Sequence, residues 1–190
     1  MELLKQTILE RGKIYPNNLL KVDSFINHQI DPMLMTEIGK DFKGYFGNRE
    51  VTKVLTIEAS GIAPAMTTAL EFQVPMVFAK KTLPSTLMKD KVYSADVYSF
   101  TKNVTSKVVV AESLLNEGDK VLIVDDFLAN GEAVLGLKKL IEDAGGEVVG
   151  VGILIEKSFQ PGRQKLEDNG LDVYSLARIE SIADGKVTFK

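Results

Sequence analysis

The feature that most constrains this chain is the run Val121-Leu-Ile-Val-Asp-Asp-Phe-Leu-Ala-Asn-Gly131, followed by Glu132-Ala133. Four consecutive apolar residues without alternation read as a strand buried on both faces. Such a strand belongs in a mostly parallel sheet with crossover helices. Two carboxylates then stand at its carboxyl end, and small residues lead the chain into a helix start. Ligands of open α/β sheets collect at that edge, where a helix N-terminus offers unpaired N–H groups and the positive end of its dipole. The loop suits a phosphate, and the carboxylates suit hydroxyls or a metal-bound ligand. Two acids at one strand end can also do no more than solvate it; the Ala-Asn-Gly turn and the helix start shift the balance toward a site.

The rest of the chain repeats the alternation. Met1 to Arg11 reads as a helix with Leu4 and Ile8 on one face, stopped by Gly12. Asp31-Pro32 is a helix start, followed by Leu34, Ile38, Phe42 and Phe46 every fourth residue, a face that should pack on a sheet. Val54 to Ile57, Met76 to Ala79, Val108 to Val110 and Val148 to Ile155 read as strands, and Ala63 to Phe72 and Glu132 to Ala144 as helices. Residues 80–107 carry Lys80, Lys81, Lys89, Lys91, Lys102 and Lys107 with weak periodicity, and are expected to form a long mobile loop with ribbon-like strands. Gln160-Pro-Gly-Arg163 reads as a turn into a helix containing Leu166.

Composition narrows the function. A length of 190 residues favours a single domain, and a net charge of −3 without a basic block argues against nucleic acid as the main partner. The absence of cysteine excludes disulfides, thiolate zinc sites and cysteine nucleophiles, and the single histidine, His28, excludes multi-histidine metal sites. The charged start lacks a signal peptide's apolar core, and no apolar run approaches the roughly 18 residues that span a bilayer. A cytoplasmic protein without a membrane partner is expected. Neither G-x-x-x-x-G-K-[ST] nor a G-x-G-x-x-G after a strand occurs, which disfavours P-loop and dinucleotide-binding chemistry.

Val121 to Gly131 resembles the phosphoribosyl-pyrophosphate (PRPP) signature of the type I phosphoribosyltransferases. Lys21 to Pro32, Thr56 to Pro64, Val97 to Lys102, Asp125 to Gly131 and Ile155 to Gly162 extend the resemblance over nearly the whole chain, toward the bacterial xanthine-using branch. It implies a mostly parallel central sheet flanked by helices, with a small hood from about residues 1–30 and 157–190. It implies transfer of a phosphoribosyl group from PRPP to xanthine, with Mg²⁺ as cofactor held by no all-protein cage, and a homodimer. By position, Asp125 and Asp126 would face the ribose hydroxyls, and Ala129, Asn130, Gly131, Glu132 and Ala133 would wrap the 5′-phosphate. Ala59, Ser60 and Gly61 would form the pyrophosphate loop, helped by Lys80 and Lys81. Leu20, Asn27 and Lys157 would meet the base, and Phe159 could stack on it. Small residues at 129 and 131 admit backbone N–H groups to a phosphate, and the acids can stabilise positive charge developing on the ribose. Glu132, beside a dianion, must turn away or accept a backbone N–H. Lone features such as Leu20, Asn27 and Lys157 would otherwise read as core, cap and solvated charge. His28 has no visible acid partner and is assigned no role, and the 160–163 turn is expected to shape the hood.

Two other readings share this pattern. One is a phosphoribosyltransferase for guanine, hypoxanthine or adenine. The other is a non-catalytic purine-responsive regulator, which would normally add a basic DNA-binding module; only about 30 residues without basic excess precede the first long helix here.

Overall fold

In a computed structural model the protein is described over residues 1–16, 19–82, 91–99 and 103–190. The order of elements is α1 (Glu2–Arg11), β1 (Lys13–Tyr15), β2 (Leu19–Lys21), α2 (Pro32–Phe46), β3 (Lys53–Ile57), α3 (Ile62–Phe72), β4 (Met76–Ala79), β5 (Val92–Ser99), β6 (Val104–Ala111), β7 (Lys120–Leu128), α4 (Glu132–Asp143), β8 (Glu147–Lys157), α5 (Gly162–Asp168), β9 (Val173–Ala183) and β10 (Lys186–Phe189). The central sheet runs β10-β9-β8-β7-β3-β4. Its pairings are parallel except that of β10 with β9. No described helix is long and apolar enough to cross a membrane.

The run at 121–124 lies at the centre of this sheet, each residue fully buried. Leu122 and Val124 face one apolar layer with α1, α2 and α3, while Val121 and Ile123 face another with α4, α5 and the β5–β6 ribbon. A strand with helices on both sides must be apolar on both sides, which is why its sequence does not alternate. On the first layer, the Asp31 carboxylate accepts the Leu34 N–H at 3.2 Å and starts α2. Phe42 and Phe46 of α2 then press on β8 where side chains are missing. A Cβ at Gly152 would lie 2.8 Å from Phe42, and one at Gly150 2.4 Å from Phe46.

Two expectations change. Val108 to Val110 is buried as expected, but in an antiparallel ribbon with β5 and not in the parallel sheet. Lys80 ties that ribbon to the sheet side through paired backbone bonds with Val109 at 2.9 Å, and Ala95, Val97, Val108 and Val110 pack in the same apolar layer as the sheet. The region expected as a long loop with ribbon-like strands does carry, where described, a two-stranded ribbon, which lies over α4; Lys89 and Lys102 lie outside the described residues, as do 83–90 and 100–102. Finally, the C-terminal part of the expected hood is sheet. β9 pairs with β8 and β10 closes the edge, because Leu176, Ile179 and Ile182 fill the layer beneath α1. The N-terminal part, β1–β2 and the single wide helical turn Asp23–Asn27, does stand over the carboxyl edge of the sheet.

Candidate active site

β7 continues beyond the apolar run through both acids to Leu128, so Asp125 and Asp126 are strand residues and not loop residues. This matters for their chemistry. Pairing with β8 carries Asp125 into the interior, where it is 4% exposed, while Asp126 is half-buried. Burial, reinforced by the neighbouring Asp126 carboxylate, pushes the Asp125 carboxyl well above the usual carboxylate range. The Asp126 N–H donates to Asp125 Oδ1 at 3.0 Å and holds the rotamer. Beside it, the Thr56 hydroxyl at the end of β3 is buried without a hydrogen-bond partner.

The chain turns at Gly131, whose φ of +82° is the left-handed conformation glycine tolerates, and enters α4. Among the described residues no side chain caps α4, which leaves its first N–H groups open to a ligand. Glu132 turns away from the loop and pairs with Lys165 of α5, which answers how an acid can sit beside a phosphate site. A cavity of about 260 Å³ opens over this segment, lined by residues 125–134 together with Ser60, Glu58, Lys81 and the ribbon residues Val97, Tyr98, Ser106 and Val108. The two acids, the turn and the first helical residues expected at a phosphoribosyl site therefore share one wall.

The second loop is only partly where it was expected. Ser60 and Lys81 reach the cavity, whereas Ala59, Gly61 and Lys80 do not line it. Gly61 has a packing reason instead: a Cβ there would lie 2.1 Å from Thr56 Oγ1 and 3.0 Å from Asp125 Oδ1. Lys80 and Lys81 diverge because successive side chains of an extended segment point to opposite faces. The Lys80 backbone bridges to Val109, and its ammonium lies 5.3 Å from the Phe78 ring centroid. Lys81 is fixed by the Glu58 carboxylate, which accepts its backbone N–H at 2.7 Å.

The expected base contacts do converge. Leu20 on β2, Asn27 at the end of the wide turn and Lys157 at the end of β8 line a second cavity of about 610 Å³, with Tyr15, Phe127 and Ala129. Lys157 makes no ion pair among the described residues, and burial lowers its ammonium below the ordinary lysine range. Its ammonium lies 5.9 Å from the Phe127 ring centroid. Phe159, expected to stack on the base, is 49% exposed in the turn after β8 and lines neither of these two cavities, whereas the rings of Tyr15 and Phe127 line the second. Phe127 was readable only as the residue after the acids; period-two alternation along an extended β7 was the available signal.

Phe127 and Ala129 line both cavities, so the two adjoin at the end of β7. Among the described residues no three His, Cys, Asp or Glu side chains converge as a metal site.

With this geometry in place, comparison with known proteins is direct. The Phosphoribosyl transferase domain family matches residues 29–184. A xanthine phosphoribosyltransferase of Macrococcus caseolyticus is 57% identical over 188 residues, covering 99% of this chain and 96% of that protein. One from Clostridium novyi is 56% identical over the full length of both. Among solved structures, adenine phosphoribosyltransferase from Thermoanaerobacter pseudethanolicus superposes with a TM-score of 0.78 at 25% identity, over 93% of this chain and 98% of that one. A mostly parallel sheet whose central strand carries two acids before a glycine turn, in a chain matched in sequence over its whole length, places the protein in the type I phosphoribosyltransferases and, within them, in the xanthine phosphoribosyltransferase family.

Proposed function

We propose that this protein transfers the 5-phosphoribosyl group of PRPP to xanthine, forming xanthosine 5′-monophosphate and pyrophosphate in purine salvage, and that the residues gathered at the end of β7 do this work. The carrying observation is that the two cavities adjoin at Phe127 and Ala129, which line both. One suits a phosphorylated sugar and the other a planar base, and the bond to be formed lies between them. The 5′-phosphate meets the N–H groups of residues 129–133 at the start of α4. Asp125 and Asp126 face the ribose, where carboxylates stabilise positive charge as the bond to pyrophosphate breaks and a ring nitrogen of the base approaches. Ser60 and Lys81 stand on the side where pyrophosphate departs.

Lys157 sets the choice of base. Xanthine presents two carbonyl oxygens and readily loses a proton near neutrality, so a half-buried ammonium without a carboxylate partner has a ligand to satisfy. Asn27 adds an amide donor. Adenine would turn its exocyclic amine toward these donors and leave both sides unpaired. The donor set also fits Mg²⁺: a buried carboxyl beside a second carboxylate is one that a cation would ionise. Asp125 and Asp126 would face the ion, which when bound supplies charge to pyrophosphate oxygens while retaining waters and substrate ligands.

The working form is a cytoplasmic homodimer. Met66 and Leu70, one turn apart on α3, are 58% and 72% exposed and offer an apolar face for a second copy. Product analysis with xanthine, hypoxanthine, guanine and adenine, each with PRPP with and without excess chelator, tests the reading. Xanthosine 5′-monophosphate formation lost on chelation is expected; turnover of adenine alone would overturn it.

A further inference from the structure

The phosphate loop does not hold its own shape; α5 holds it from behind. The Gly162 N–H donates to the Ala129 carbonyl at 2.9 Å, and that approach is possible because a Cβ on Gly162 would lie 2.4 Å from the same oxygen. Leu166 packs beneath Gly131, 3.2 Å from where a Cβ would stand, and Lys165 takes up Glu132. With seven residues, α5 is too short to be stable by itself, so something must fix it.

The fixing group is a buried carboxylate. Glu156, 1% exposed on β8, accepts from Arg163 Nε at 3.0 Å and Arg163 Nη2 at 2.6 Å. It also accepts from Ser158 Oγ at 2.7 Å, Ser175 Oγ at 2.6 Å and Arg178 Nε at 3.1 Å. Arg163 further donates to the Val173 carbonyl at 3.0 Å, so its fork closes over β8 and β9 together. A guanidinium held at its ε and η nitrogens has no freedom to slide, unlike an ammonium on a flexible stem.

We infer that Arg163, locked on Glu156, is a positioning residue for the phosphoribosyl substrate: it seats α5 so that Gly162 and Leu166 hold residues 129–131 in their ligand-ready conformation. The 160–163 turn, expected to shape the hood, therefore serves the phosphate side of the site. The inference rests on the phosphate assignment made above, and its test separates the two.

The measurement is the dissociation constant of ribose 5-phosphate by calorimetry, with KM values and kcat for PRPP and xanthine alongside. The wild-type protein should bind ribose 5-phosphate; absence of binding would overturn both the phosphate assignment and this inference. Binding without PRPP-dependent turnover would overturn the enzymatic reading only. Arg163→Lys, which keeps charge and loses the fork, should weaken ribose 5-phosphate and raise the PRPP KM about tenfold, the scale of one charge-assisted hydrogen bond. kcat at saturating PRPP should stay within about threefold. Gly162→Ala, which disturbs the Ala129 contact directly, should shift the same two constants, and the double variant should be less than additive because both act through one contact. A lower melting temperature in Arg163→Lys with an unchanged dissociation constant would make Arg163 a brace only and overturn the proposal. So would a Gly162→Ala effect not shared by Arg163→Lys. Ser175→Ala, a milder loosening of the same carboxylate, carries the test at about threefold if Arg163→Lys does not fold.

Discussion

The wall we assign to the phosphate and the wall we assign to the base are built in opposite ways. The phosphate wall is one continuous stretch, residues 125–134, in which a strand, a glycine turn and a helix start follow each other along the chain. The base wall is assembled from Leu20, Asn27, Phe127 and Lys157, on four elements spread over most of the sequence. A contiguous wall has its groups brought together by chain connectivity, and here needs only the brace of α5 behind residues 129–131. An assembled wall depends on the packing of every element that carries a piece of it. The first kind suits the part of the substrate that phosphoribosyltransferases share, and the second suits the part in which they differ.

This contrast predicts where substitutions will act. The largest effect should come from Asp125→Asn with Asp126→Asn, which removes both carboxylates from the contiguous wall. kcat should fall roughly 10²-fold or more, as for loss of preorganised electrostatic groups, and full activity would remove the acids from the mechanism. Asp125→Asn alone should raise the melting temperature of the ligand-free protein at neutral pH. The folded state raises this carboxyl's pKa, so its stabilising contribution is present at low pH and lost as pH rises through the raised value. Asparagine escapes that loss, and a gap between variant and wild type that widens from pH 4 to pH 8 in thermal melts would confirm the sign.

Gly131→Val should come next. Its φ of +82° resists a β-branched residue, and Leu166 already occupies the space a side chain needs. PRPP affinity should fall by about tenfold or more with xanthine binding little changed, measured by calorimetry on protein of native circular dichroism. Equal losses for both ligands would blur the division between the walls.

Lys157→Met probes the assembled wall. Loss of a charge-assisted hydrogen bond worth about 1.5–3 kcal/mol should raise the xanthine KM by roughly 10- to 150-fold and erode its preference over hypoxanthine. PRPP binding should remain near wild type. Because burial lowers the ammonium's pKa, xanthine affinity in the wild type should also decline at a pH below that of an ordinary lysine, a decline the Met variant would lack. An unchanged KM would leave Lys157 a solvated charge.

The smallest contrast is between two aromatics. Phe127→Ala should weaken xanthine severalfold, since stacking against an aromatic is worth about 0.5–1.5 kcal/mol beyond area. Phe159→Ala should leave it unchanged, because that ring lines neither of the cavities that meet at the end of β7. The reverse order would return the stacking role to the turn after β8.

What could be read from sequence follows the same division. The buried central strand, the acids, the glycine turn and the start of α4 were legible because each is a local consequence of residue type: apolar runs bury, small residues turn, and helix starts leave N–H groups free. Asp31 capping α2 and the every-fourth apolar face of that helix belong to the same class. The base residues were legible only through resemblance, since nothing local distinguishes Lys157 from any exposed lysine.

Other facts depended on the third dimension altogether. That Val108 to Val110 joins an antiparallel ribbon, that residues 173–189 complete the sheet, and that Lys80 and Lys81 part company are outcomes of pairing between distant segments. An apolar run states that it will be buried, and does not state by which partner. The same holds for Glu156 and Arg163, two ordinary charged residues seven positions apart until β9 brings Ser175 and Arg178 over them and closes the water out. The chain's local chemistry determined what kind of site could form, because backbone preference and burial act residue by residue. Only the tertiary structure decided which side chains complete it, because convergence is a property of the packing and not of any segment within it.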